Sequence, residues 1–241
     1  MTQEPGRAGR ARVRDALHNA GSWLLDYGYA LLWQARTVLS RTDPARFGTG
    51  TAAPVLILPG VYERWPFMRP LIELLHEHGH PVHVVTRLGT NRRPVAESAT
   101  IVADYLQSQD LHNVVIVAHS KGGLIGKYLM TQLDPGVRIT RLIAISTPFS
   151  GSRYARYLVM PSLRAFSGTN PHLAALAADV SLNAKVVSIF GRFDPHIPEG
   201  SILPEAENVL IDTGGHFRIL GHPDTRRQVL AAARAADPPQ P

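Results

Sequence analysis

The sequence of 241 residues contains no cysteine, which excludes disulfide bonds, a thiol nucleophile and zinc sites built from cysteine. It also lacks any apolar run of the roughly 20 residues that a membrane-spanning helix needs. Its first residues do not resemble a secretory signal, because Asp26 interrupts the apolar stretch that follows the basic start. These absences predict a cytoplasmic protein, with contact at a membrane surface left open.

Acidic residues are fewer than basic ones, and 25 Lys and Arg against 19 Asp and Glu give a formal charge of +6. Such a charge favours anionic surfaces, but an Arg-rich composition is only a weak guide to partners. No basic stripe interleaved with aromatic residues is present, which argues against a nucleic-acid partner. No cluster of metal ligands stands out, so neither a metal nor a cofactor is expected. The oligomeric state stays open.

Short apolar segments alternate with helical patterns from residue 54 onward. The predicted strands are 55–58, 82–86, 114–118, 142–145, 186–190 and 209–211. The predicted helices between and after them are 66–78, 95–108, 121–132 and 223–236. This alternation indicates an α/β fold with a doubly wound, mostly parallel sheet of about six strands. We expect residues 1–53 to form a helical extension and linker, and residues 54–241 a domain with a small cap at about 150–182.

Residues 11–40 show helical spacing of apolar residues, which predicts an N-terminal helix. Its aromatic and leucine residues spread around most of the circumference, more than one buried face requires. Four basic residues lie at or just before its start: Arg7, Arg10, Arg12 and Arg14. Two interpretations stay open, namely an interfacial helix that touches a membrane or partner and a helix that packs on the core.

The most informative stretch runs from Val114 to Gly123, where an apolar strand leads into Ala118-His119-Ser120-Lys121-Gly122 and then a helix. A serine on such a sharp turn holds its hydroxyl clear of the sheet, beside the free amides of the following helix. The tight turn demands small residues two positions before and two after the serine. Ala118 and Gly122 meet that demand.

This pattern resembles the nucleophile elbow of the α/β-hydrolase superfamily, in particular its small lipases and esterases. The resemblance covers about residues 54–235 and implies the minimal, six-stranded form of that fold, with Ser120 as nucleophile. Ala118 replaces the usual glycine, and Lys121 stands where Met, Gln or Leu is more usual. A cation at a helix N-terminus is disfavoured by the helix dipole. We therefore predict that Lys121 pairs with a carboxylate, Glu63 being one candidate, or else meets an anionic substrate.

The resemblance also implies the order Ser, then acid, then His along the chain. Asp194 follows the predicted strand 186–190 and is the expected acid, while Asp212 is a rival. His216 follows the last predicted strand and is the expected base, since Gly214-Gly215 gives its loop freedom to reach Ser120. His222 is the alternative base, although it resembles the start of the last helix.

In this family two backbone amides form the oxyanion hole. The resemblance assigns them to Lys121 and to Val61, because Pro59-Gly60-Val61 is similar to the family's loop after the first core strand. A Thr-Pro segment at Thr147-Pro148 is similar to the one that leads into the lid of lipase-like members. Apolar residues of the cap then predict an acyl-binding surface: Tyr154, Tyr157, Leu158, Leu163 and Phe166.

These features predict a serine hydrolase that cleaves carboxylic esters of small molecules or lipids through an acyl-enzyme. An acyltransferase or a thioesterase with the same triad, and a non-catalytic binding protein on this fold, are the alternatives. Dehalogenases are disfavoured because their nucleophile is an aspartate. The acyl chain length stays open.

Overall fold

The structure is a computed structural model, which describes residues 5–134, 137–157 and 159–236, with side chains from residue 20 onward apart from that of Pro161. Six strands form one sheet in which every neighbouring pair is parallel. They are β1 (Val55–Leu58), β2 (Val82–Val84), β3 (Val114–His119), β4 (Ile139–Ile145), β5 (Val186–Phe193) and β6 (Glu207–Gly214). The spatial order is β2-β1-β3-β4-β5-β6, which places β3 near the middle.

Helices precede, connect and follow the strands of the sheet. They are α1 (Pro5–Leu39), α2 (Arg69–Glu77), α3 (Val95–Ser108), α4 (Lys121–Tyr128), α5 (Pro161–Arg164), α6 (Pro171–Ala178) and α7 (Pro223–Arg234). The two short helices α5 and α6 lie within the predicted cap. α4 continues into one wider helical turn at Leu129–Leu133.

The sheet is covered on both faces because its strands are apolar on both sides. Leu56 and Ile116 belong to one core cluster, whereas Ile57 and Val117 belong to another. Successive side chains of a strand point to opposite faces, so these two clusters are the two helix-covered layers. A parallel sheet buried in this way is what near-continuous apolar strands predict, and the predicted fold class is confirmed.

The strands β4, β5 and β6 extend beyond the predicted segments. β5 continues to Phe193 and β6 to Gly214, and an exposed ion pair joins Arg192 to Asp212 in this extension. The added parts carry polar residues or glycine, such as Arg192, Asp212 and Gly214, which interrupt an apolar run whether they are exposed or buried. An apolar run therefore marks only part of each of these strands, and the predicted boundaries fell short for this reason.

α1 packs against the core that contains Ile57. Tyr29 and Trp33 contact this cluster, and Ser22 and Asp26 are buried on the same side of the helix. The packing interpretation of residues 11–40 therefore describes one face of the helix. Among the described residues, no helix combines the length and apolarity that crossing a bilayer requires.

Candidate active site

Ser120 lies between the end of β3 and the start of α4. Its φ of 50° and ψ of −118° are costly for a residue with a side chain, and such strain is held in place only by its surroundings. Its amide donates to the carbonyl of Ile145, 2.8 Å away on the neighbouring strand. The turn thus aims the hydroxyl out of the sheet at the carboxyl end of its strands, where open α/β sheets bind ligands.

The residue two positions after Ser120 has no space for a side chain. A Cβ atom on Gly122 would lie 2.1 Å from the carbonyl oxygen of Leu58, in the neighbouring β1. Ala118, two positions before the serine, is fully buried. The structure therefore supplies the close approach that the sequence pattern implied.

A chain of hydrogen bonds joins Ser120 to two residues from later strands. Nε2 of His216 lies 3.0 Å from Oγ of Ser120, and Nδ1 of His216 lies 2.8 Å from Oδ2 of Asp194. Asp194 follows β5 and His216 follows β6, as expected for the acid and the base. The structure brings the three predicted residues together, and all three side chains are buried or nearly so.

The pKa shifts in this hydrogen-bonded set favour an ionised Asp194 and a more basic imidazole at His216. Burial opposes ionisation of Asp194, but the His216 charge and hydrogen bond outweigh it and lower the pKa of Asp194. Burial likewise opposes protonation of His216, yet Asp194 raises the pKa of His216 above its usual value. A neutral His216 hydrogen-bonded in this way can accept a proton from the Ser120 hydroxyl.

Asp194 is further fixed by its own loop. Its Oδ1 accepts hydrogen bonds from the amides of His196 and Ile197, at 2.8 and 3.1 Å. Oδ2 is left to face His216. The alternative acid, Asp212, is exposed and forms an ion pair with Arg192. The alternative base, His222, caps α7 by accepting a hydrogen bond from the amide of Asp224.

The two amides assigned to the oxyanion hole lie on the loop after β1 and at the start of α4. The amide of Lys121 is the first of the four helix amides that have no partner within a helix. The hydrogen bonds of the described residues include none from the amide of Val61. Two side chains hold the Val61 loop, since Glu63 accepts from the amide of Gly60 at 2.7 Å and Asn91 donates to the carbonyl of Pro59.

The predicted pairing of Lys121 with Glu63 is wrong. The Lys121 ammonium group is buried and donates to the carbonyls of Asn91 and Arg93. Glu63 points elsewhere because its carboxylate is occupied by Gly60 and His119. The ammonium group hydrogen-bonds to carbonyl oxygens and not to a carboxylate of any described residue. Burial therefore lowers the pKa of Lys121 to about 8.

Glu63 and His119 form a buried pair directly beneath the site. Nδ1 of His119 lies 2.8 Å from Oε1 of Glu63, and Nε2 lies 3.0 Å from the carbonyl oxygen of His216. A carbonyl only accepts hydrogen bonds, so Nε2 carries a proton. The pair links the Val61 loop to the His216 loop.

The site opens into a cavity of about 860 Å³. Ser120 and His216 line it, together with apolar cap residues that the sequence singled out: Tyr154, Leu163 and Phe166. Tyr157 does not line it and is mostly exposed, while Leu158 lies outside the described residues. The remaining wall includes aromatic residues of α1 and of the loop after Asp194.

Two residues of the site were not predicted from the sequence: His196, which lies in the cavity wall, and Asp26, which supports the loop of His216. His196 lines the cavity with its ring centroid 4.9 Å from that of His216, and burial lowers its pKa to about 4, so it is neutral near pH 7. Asp26 of α1 accepts a hydrogen bond from the amide of His216. Its one signal in the sequence was an acid within an apolar helix, which was taken only as an interruption.

The chain matches no protein-family model and no curated protein by sequence. It is similar in structure to lipase BlEst2 from Bacillus licheniformis, with 15% identity and a TM-score of 0.55 over 75% of this chain and 89% of that one. An esterase from Thermogutta terrifontis gives 16% identity and a TM-score of 0.53 over 79% and 92%.

A third similar structure is α/β hydrolase domain-containing protein 10 from mouse. Its identity is 14% and its TM-score 0.57, over 76% of this chain and 88% of that one. At such identities the likeness concerns the fold. Together with the six-stranded parallel sheet and the turn at Ser120, these similarities show that the chain has the α/β-hydrolase fold.

Proposed function

We propose that the protein is a serine hydrolase that cleaves carboxylic esters, with Ser120 as nucleophile, His216 as base and Asp194 as acid. The observation that carries this proposal is the hydrogen-bonded chain from Ser120 through His216 to Asp194, built on a strained turn. A nucleophile within reach of a base, which a third group orients, is the general arrangement for covalent catalysis.

In the proposed reaction, Oγ of Ser120 attacks the ester carbonyl carbon while Nε2 of His216 takes the hydroxyl proton. The amides of Val61 and Lys121 stabilise the oxyanion. Collapse of the tetrahedral intermediate breaks the bond to the alcohol oxygen, which receives the proton from His216. Water then attacks the acyl-enzyme with His216 again as base, and the acid product leaves with Ser120 restored.

The cavity supports an ester with an apolar acyl group. In addition to Ser120, its lining includes Phe166, Phe190 and Leu163. An apolar surface of this kind favours hydrocarbon groups over charged groups. The similar structures include a lipase and an esterase. Small-molecule or lipid esters are therefore the proposed substrate class.

A series of p-nitrophenyl esters of increasing acyl length tests this proposal. We expect turnover that depends on chain length and falls at least about 10⁴-fold in Ser120→Ala. A matched acyl thioester and an added alcohol acceptor test the alternatives, thioesterase and acyltransferase. Absence of turnover with every acyl donor would favour the non-catalytic binding protein instead.

We also propose that α1 makes reversible contact with a membrane surface. The side of α1 away from the core carries six apolar side chains that are 49–79% exposed: Leu24, Leu25, Leu31, Leu32, Val38 and Leu39. A group of exposed apolar side chains on one face is typical of an interaction surface. The basic flank at 7–14 lies outside the side chains that the structure describes.

Vesicles of phosphatidylcholine and phosphatidylglycerol test the membrane contact by co-sedimentation. The variant Leu24→Glu/Leu31→Glu is expected to lose vesicle binding and to keep turnover of a soluble short-chain ester. Val137→Glu is the matched control, because it charges an exposed apolar residue at the opposite end of the sheet. Unchanged binding by the double variant would contradict the contact.

A further inference from the structure

Asp26 is a fully buried acid whose carboxylate accepts hydrogen bonds from the backbone of the His216 loop and, within the part of the chain that the structure describes, does not pair with a cation. Its Oδ2 accepts from the amide of His216 at 2.9 Å, and its Oδ1 accepts from the amides of Phe217 and Arg218 at 2.7 and 2.8 Å. No salt bridge among the described residues includes Asp26. Three amide donors stabilise a buried carboxylate.

The backbone of the His216 loop is shaped around this carboxylate. Gly215 has a φ of 117°, which side-chain-bearing residues rarely adopt, and a Cβ atom there would lie 2.6 Å from Oδ1 of Asp26. The glycine therefore provides close approach to α1, in place of the loop freedom that the sequence suggested. In this arrangement the His216 imidazole faces Ser120.

α1 reaches the other side of the site as well. Nε2 of Gln34 donates to the carbonyl of Tyr62 at 3.0 Å, directly after the loop of Val61. Trp23, Tyr27 and Ala30 line the cavity. One turn of α1, at Asp26, thus contacts the loop of the proposed base, and another turn, at Gln34, contacts the loop of the proposed oxyanion hole.

We infer that Asp26 is a positioning residue of the active site, which fixes the backbone of residues 216–218 and with it the His216 imidazole against Ser120. This inference rests on the proposed function. It makes α1 a required part of the catalytic apparatus, although the family resemblance seen in the sequence covers only about residues 54–235.

Two substitutions separate the charge of Asp26 from its position. Asp26→Asn removes the charge and sets an amide group against backbone donors, so we expect kcat to fall about 100-fold, the cost of a misplacement near 1 Å. The Asp26 charge also helps to raise the pKa of His216. The low-pH limb of kcat/KM should therefore move to lower pH. Asp26→Glu keeps the charge but displaces the loop, so kcat should fall with the limb unmoved.

Asp134→Asn is the matched control, because this buried acid also accepts backbone amides, those of Arg138 and Ile139, outside the site. Full-length variants are compared by kcat and KM on a soluble p-nitrophenyl ester, pH profile and thermal unfolding. Wild-type turnover must be present, and its absence would count against the proposed function instead. The expected result is a loss in kcat with little change in KM for both Asp26 variants.

Wild-type kcat and an unmoved pH limb in Asp26→Asn would overturn the inference. If Asp26→Asn is recovered only unfolded, Asp26→Glu decides. A folded Asp26→Glu protein with wild-type kcat would then overturn the inference, and a folded protein with reduced kcat would support it.

Discussion

Nε2 of His119 donates to the carbonyl oxygen of His216 at 3.0 Å, so the residue before the proposed nucleophile supports the loop of the proposed base. His119 is held in turn by Glu63, which also binds the amide of Gly60. A single buried pair therefore connects the end of β3 with the Val61 loop and the His216 loop. Its integrity should matter to both stability and turnover.

Glu63→Gln tests this connection. Breaking a buried pair by removing one partner costs about 3–5 kcal/mol in the free energy of unfolding, and we expect kcat to fall about 10-fold or more as the loops shift. Asp110→Asn, which weakens the exposed His112–Asp110 pair, should change neither. Urea unfolding and ester turnover measure the two effects. Wild-type stability in Glu63→Gln would show that the pair does not support the site.

Substitutions at the other proposed catalytic residues should separate them from the rival residues. Asp194→Asn should lower kcat by about 10⁴-fold, because the amide favours the wrong tautomer of His216. His216→Ala should lose activity to a similar extent. His222→Ala should keep full turnover, since that side chain caps α7. An inactive His222→Ala beside an active His216→Ala would show that the base is assigned to the wrong residue.

The pH dependence of kcat/KM should report the protonation of His216. The base acts only when neutral, so activity is lost as pH falls through its pKa. Since Asp194 outweighs burial and raises that pKa, the half-maximal point should lie above about 6.5, the unperturbed value. A half-maximal point well below that value would contradict the charge balance described for the site.

Lys121 should make stability depend on pH in the alkaline range. Burial lowers its pKa in the folded protein to about 8, against about 10.4 unfolded, so the unfolded chain binds more protons between these values. The wild type should therefore gain about 2 kcal/mol relative to Lys121→Met as pH rises from 8 to 10. Urea unfolding across this range measures the difference, and a constant difference would contradict it.

The sequence predicted the sheet because each buried strand is a short apolar run, and its resemblance to the α/β-hydrolase pattern implied Ser120, Asp194 and His216, each of which follows a strand. It did not predict the partners of Lys121, Glu63 or Asp26. Those partners depend on how loops that are distant in the sequence pack against each other. A local sequence pattern does not predict such packing. The ends of β5 and β6 were missed because polar residues and glycine interrupt the apolar runs there.

Labelling with a fluorophosphonate, followed by mass spectrometry of the intact protein and its peptides, tests most directly whether Ser120 is the nucleophile. We expect one covalent adduct on the wild type, located at Ser120, none on Ser120→Ala and a strongly slowed reaction on His216→Ala. Thermal unfolding confirms that each variant is folded. An adduct at another residue, or equal labelling of folded wild type and Ser120→Ala, would contradict the assignment of Ser120 as nucleophile.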